Sequence, residues 1–169
     1  MEHAKESSDG RYNEVIIKQA VNLAYQYIEQ YEPVQEADER DRVNFAKFLL
    51  FKLQENPTEY VYSHEILDNL NAFSKQKINE HYFRSNIVSK LRDRGLLIAS
   101  SNKGYKLPVC IEDLYDFVNI ASLNIHPMIE RITKCRDQIL LATNNEVDIL
   151  EKTEYDQLRS IVNLERVPF

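Results

Sequence analysis

Only three glycines, Gly10, Gly95 and Gly104, occur in 169 residues, alongside five prolines. Glycine is the residue that supplies positive φ without steric cost, so a chain this poor in it has few tight turns and must be built from long helices with short connections. Two of the three glycines bracket one short stretch. Gly95 follows a helically patterned segment at the position where a left-handed terminal residue is wanted. Gly104 closes Ser101-Asn102-Lys103-Gly104 between two apolar runs, Leu96–Ser100 and Tyr105–Leu107, which predicts a β-hairpin. The same count excludes GxGxxG and Walker-type phosphate loops.

Hydrophobic periodicity places the other elements. Residues 1–11 are polar and predict a disordered N-terminus. From Tyr12 to Tyr31, Ile16, Ala20, Leu23 and Tyr27 recur at helical spacing, with Ala24 and Ile28 widening the stripe, and Pro33 ends the helix. The N-terminal helix and its linker occupy 12–37. A second helix runs from Asp38 to Gln54 on Val43, Ala46, Leu49, Leu50 and Leu53, closed by Asn56-Pro57. Glu59–Tyr62 reads as one short strand, and Ser63 caps a short helix that buries Ile66, Leu67 and Leu70. Asn79 is an N-cap for a longer helix to Arg94 with Phe83, Ile87, Val88 and Leu91 inward. Beyond Ile111 the apolar positions are Leu114, Phe117, Val118, Ala121 and Ile125, then Met128, Ile132, Cys135 and Ile139, with Pro127 expected to kink or split the helix. A last helix is predicted over Leu150–Asn163.

Charge is unevenly spread. The chain carries 21 basic and 27 acidic residues, a net −6. Between Ser74 and Pro108, Lys75, Lys77, Arg84, Lys90, Arg92, Arg94, Lys103 and Lys106 face only Glu80 and Asp93, so this segment is +6 and the remainder −12. A basic segment in an acidic protein is a localised electrostatic footprint for a polyanion.

The order helix, short strand, short helix, basic helix and hairpin over 38–108, with the run KLRDRGLLIASSNKGYKLP, resembles the winged helix-turn-helix family. The implied fold class is mainly α with a small β-hairpin wing, flanked by N- and C-terminal helices, the latter over 109–169. The resemblance implies a regulatory protein that binds double-stranded DNA, with the helix 79–94 in the major groove and the wing 96–107 on adjacent backbone. With Phe83, Ile87 and Leu91 inward, the 100° step turns Tyr82, Ser85, Asn86, Ser89 and Arg92 outward. Asn86 suits an adenine edge, the serines bases or phosphates, and Tyr82 the sugar-phosphate backbone. Lys75, Lys77, Lys90, Lys103 and Lys106 would meet phosphates. Arg84 and Arg94 fall toward the inner edge, where they would snorkel over apolar neighbours. Winged helices also serve as protein-docking modules, and the acidic remainder keeps open a protein partner, or a place in a larger assembly, without direct DNA contact.

The flanking helices add apolar surface that either packs on the module in the same chain or forms a homodimer through helices 12–31 and 111–141, presenting two recognition helices to a two-fold site. No enzyme signature is present. His3, His64, His81 and His126 lack HExxH or zinc spacing, Cys110 and Cys135 lack CxxC spacing, and there is no GxSxG. The reading is a non-enzyme with no metal or cofactor. The chain shows neither a signal peptide's apolar segment nor a run of about 20 apolar residues, so it is expected to be cytoplasmic and without a membrane partner.

Overall fold

The computed structural model describes residues 12–34 and 36–164; the expected disordered N-terminus lies outside them. The chain is mainly helical with one two-stranded antiparallel sheet, and it divides into two compact units, Met1–Val118 and Asn119–Phe169.

In the first unit, α1 spans Glu14–Tyr31. Asn13 starts it, its side-chain oxygen accepting from the Val15 and Ile16 N–H groups at 3.0 and 3.2 Å, which satisfies two otherwise orphaned donors. Ala20, Ala24, Tyr27 and Ile28 are buried, and α1 packs on α2, Ala37–Glu55. The apolar face expected to seek a partner on this helix is therefore covered within the chain. α2 is buried almost all round through Val43, Phe45, Ala46, Phe48, Leu49 and Leu50. Phe45 meets Phe83 edge-on at 5.0 Å, and Phe83 meets Tyr105 edge-on at 5.3 Å, a favoured aromatic geometry that ties α2 to the hairpin through one ring.

α2 also buries charge. Glu39 accepts from the Tyr27 hydroxyl, from Arg94 at 2.6 Å and from Arg42 at 2.9 Å. Burial alone would raise the Glu39 carboxyl, but these hydrogen bonds and the two cations hold it below its ordinary value. Burial beside Glu39 pushes the Tyr27 hydroxyl well up. Arg94 lies on the inner edge but does not snorkel: its guanidinium, 4.4 Å from the centre of the Tyr31 ring, turns inward to the buried Glu39 instead of out to water.

α3 spans Ser63–Phe73 and buries Ile66 and Leu70. After the turn 74–79, a helix of three consecutive parts begins: α4, Glu80–Tyr82, a π-helical segment, Phe83–Val88, and α5, Ser89–Asp93. Asn79 caps it as expected, its side chain accepting from the Tyr82 N–H at 2.9 Å. Phe83, Ile87, Val88 and Leu91 are all buried. The π segment shifts the carbonyl register: Ser89 Oγ donates to the Arg84 carbonyl five residues back, and Arg42 Nε donates to the Asn86 carbonyl at 2.7 Å.

Gly95 ends this helix with φ +89°. The hairpin is β1, Ala99–Ser101, paired with β2, Gly104–Lys106, displaced from the expected 96–100 and 105–107. Leu96 and Ile98 instead descend into the core, and the Ile98 carbonyl is taken by Arg92. The strand expected at Glu59–Tyr62 reduces to one bridge, Val61 with Tyr105, closed by two backbone hydrogen bonds. Gly104 has φ +121°, and a Cβ there would lie 1.9 Å from the Val61 carbonyl oxygen, so only glycine admits this approach.

α6 spans Ile111–Ala142 without a break. The expected split at Pro127 does not occur: the carbonyl that loses its donor belongs to Leu123, on an exposed stretch where water can satisfy it. In the second unit Ile129, Leu150 and Val162 form a small core with Ile132, Ile149 and Leu158 against it. Arg136 is buried and makes a two-pronged pair with Asp148 at 2.8 and 2.5 Å, plus a bond to Asn163 at 2.9 Å. Asn144 and Asn145 turn the chain with φ 49° and 66°. The last helix, α7, is Asp156–Leu164, preceded by a 3₁₀ turn at Thr153–Tyr155. It starts later than expected because Asp148 accepts from the Leu150 N–H and folds Leu150 into the core from a loop.

Candidate nucleic-acid interface

The sequence-predicted contact residues separate into those that face solvent and those the fold consumes. Lys75 and Lys77 lie on the turn before α4, and Lys103 on the hairpin turn. All three are exposed, and none makes an ion pair among the described residues. Lys90 is exposed on α5 but pairs with Asp93 at 3.4 Å. Arg84 is exposed and pairs with Glu80 one turn earlier, so it sits on the outer face and not on the inner edge expected of it.

Lys106 is not a solvent-facing phosphate contact. It is buried, pairs with Asp113 at 2.9 Å and lies 5.0 Å from the centre of the Tyr60 ring. Asp113 also accepts from the Val109 N–H at 2.8 Å and from the Tyr60 hydroxyl at 3.3 Å. Burial between Asp113 and Asp116 raises the Tyr60 hydroxyl well above its ordinary pKa. This cluster joins the hairpin, the 59–62 segment and the start of α6. It fixes the hairpin instead of charging its surface.

Arg92 likewise does not point outward. One helical turn beyond the buried Val88, it turns under the hairpin. Nε and Nη2 donate to the Ile98 carbonyl at 3.2 and 2.8 Å, and Nη2 also donates to Ser100 Oγ at 3.0 Å. Its guanidinium stands 4.1 Å from the centre of the Phe117 ring. Burial pushes its pKa down.

Tyr82 is half-buried and committed to its own neighbours. Its hydroxyl donates to Asp38 Oδ1 at 2.6 Å and accepts from Gln76 Nε2 at 3.0 Å. Burial and the Asp38 carboxylate push it up to about 12. Ser85 Oγ donates to the His81 carbonyl at 2.9 Å, and Asn86 Nδ2 donates to Ser85 Oγ at 3.1 Å. Ser85, Asn86 and Ser89 therefore keep acceptor capacity on the outer side of the helix, while part of their donor capacity is used locally.

The outer face of the 80–93 helix is electrically balanced, since Arg84 and Lys90 each carry an acidic partner. Uncompensated positive charge lies instead in the turn before the helix and at the hairpin tip. Sequence reasoning identified these lysines from local composition. It could not see the fates of Lys106 and Arg92, whose partners Tyr60 and Phe117 stand far from them along the chain. Among the described residues no group of three or more His, Cys, Asp and Glu could hold a metal ion, and no helix is long and apolar enough to cross a membrane. No family model, no curated protein and no solved structure matches this chain.

Proposed function

We propose that this chain is a winged-helix-like regulatory protein that binds double-stranded DNA through the turn 74–79, the 80–93 helix and the hairpin tip. One observation carries the reading. Among the described residues of the first unit, Lys18, Lys75, Lys77 and Lys103 are the lysines whose ammonium groups have no ion-pair or hydrogen-bond partner, and three of the four lie in the turn and the wing. Elsewhere in that unit Lys47, Lys52, Arg42 and Arg94 are matched to carboxylates. Free ammonium groups displace counterions from phosphate at no cost in broken internal pairs. Ser85, Asn86 and Ser89 then supply polar groups for base edges.

The test is fluorescence anisotropy against random duplex DNA across a salt series. Replacing Lys75, Lys77 and Lys103 together by Ala should flatten the slope of log affinity against log salt by about three units, close to one per lost phosphate contact. An unchanged slope in a folded triple variant rejects the reading.

A second reading is supported by a separate observation: Leu123, Ile125 and Met128 of α6 are 75, 57 and 58 % exposed. Large side chains left out of the second unit's core suit a protein partner or a second copy of the chain. In that reading DNA binding is weak and indifferent to the three lysines, and solution mass rises with protein concentration.

A further inference from the structure

A cavity of about 340 Å³ opens in the first unit between the end of the 80–93 helix, the start of the hairpin and the first turns of α6. Leu97, Leu114 and Phe117 give it apolar walls. Gly95 stands at its edge with nothing within 4 Å of where a Cβ would be. Its volume is at the lower end of the range for small-molecule sites.

One cation faces this apolar space. Arg92 has no carboxylate partner among the described residues, whereas the buried Arg42, Arg136 and Lys106 each have one. Its Nε and Nη2 hydrogens are spent on Ile98 and Ser100, and Nη1 has no partner among the described residues. No buried side-chain nitrogen or oxygen there lacks a partner, so Nη1 is not sealed off and retains two donors within reach of solvent. The acidic group at the rim, Asp93, is 63 % exposed and held by Lys90.

We infer that this cavity binds a small monocarboxylate with an apolar or aromatic body, its carboxylate on Arg92 Nη1 and its body against Leu97, Leu114 and Phe117. A hydrogen bond from a partly desolvated guanidinium to a carboxylate is stronger than one to a neutral group. A single guanidinium in apolar walls favours a monoanion over a phosphate, whose second charge would be left uncompensated out of water. The same guanidinium clamps Ile98 and Ser100, so the ligand would bear on the hairpin. The inference stands apart from the nucleic-acid reading and is tested without DNA.

Calorimetric titration of the full chain with benzoate and octanoate, each against its neutral amide, decides it. At least one acid should bind saturably and about tenfold more tightly than its amide. Leu114→Trp, which fills the cavity from its α6 wall and leaves Arg92 itself unaltered, should abolish binding of both. Arg92→Gln should make acid and amide equal; should that variant not fold, the acid-to-amide ratio of the unaltered chain and the Leu114→Trp result carry the test. Absence of acid binding at millimolar concentration, equal binding of acid and amide to the unaltered chain, or binding undiminished in Leu114→Trp overturns the proposal.

Discussion

The two units bury their charges in the same manner and their hydrocarbon very differently. The first surrounds Glu39 with Tyr27, Arg42 and Arg94, and sets that cluster beside a core that runs from Ala20 to Leu107. The second surrounds Arg136 with Asp148 and Asn163, but among the described residues its buried apolar side chains are Ile129, Leu150 and Val162. Burying an ion pair contributes little net stability by itself, because desolvation offsets most of the attraction, so the hydrocarbon decides which unit holds its shape. The lesson is that a buried pair fixes geometry, while resistance to unfolding follows apolar burial.

The largest way to break this comparison is Phe83→Ala. Phe83 is fully buried and links Phe45 to Tyr105. Its truncation should destabilise the first unit by about 3–5 kcal/mol, read as a drop in the urea midpoint followed by near-ultraviolet circular dichroism. A loss below about 1 kcal/mol would show that the core does not depend on this ring.

Next in size, Leu150→Ala should cost the second unit about 3 kcal/mol. Because that unit has few other buried apolar groups among the described residues, its amides should approach unprotected hydrogen exchange while those of α2 keep their rates. Equal loss of protection in both units would mean that they unfold as one body and that the division between them has no energetic content.

The smallest effect is with pH. The Arg136 hydrogen bond, aided by the Leu150 N–H, holds the Asp148 carboxyl below its ordinary 3.8 despite its desolvation. A carboxyl with a depressed folded-state pKa stabilises fully above its unfolded value and loses that contribution as pH falls through the folded value. Protection factors in the second unit, which are exchange rates corrected for the intrinsic slowing of amides in acid, should therefore fall below about pH 4. Asp148→Asn should make the unit weaker at neutral pH and remove that share of the acid dependence. An acid profile identical with and without Asp148 would reassign the effect to other carboxylates.

Much of the fold was legible because its signals are local. Asn79 as a cap, Gly95 as a terminator, Gly104 in the hairpin turn and the inward set of Phe83, Ile87, Val88 and Leu91 each rest on a few neighbouring residues. The strand at 59–62 was over-read because β-branched and aromatic composition does not reveal that a single bridge to Tyr105 is all the hairpin offers. Pro127 does not split α6, because the Leu123 carbonyl that it deprives of a donor lies on an exposed stretch that water reaches. In the candidate interface, Lys75, Lys77 and Lys103 are exposed as their turn composition suggests. Arg92 and Lys106 look equally basic on paper, and only tertiary placement against Phe117, Asp113 and Tyr60 draws them inward.

The bond from Arg42 to the Asn86 carbonyl has a consequence for how such a surface can diversify. The fastening point on the 80–93 helix is a main-chain oxygen, which every amino acid at position 86 would present equally. The outward side chains at 85, 86 and 89 can therefore be exchanged while the anchorage of the helix to α2 is retained. Heritable change could then alter the chemistry that face presents without first having to rebuild the platform that holds it.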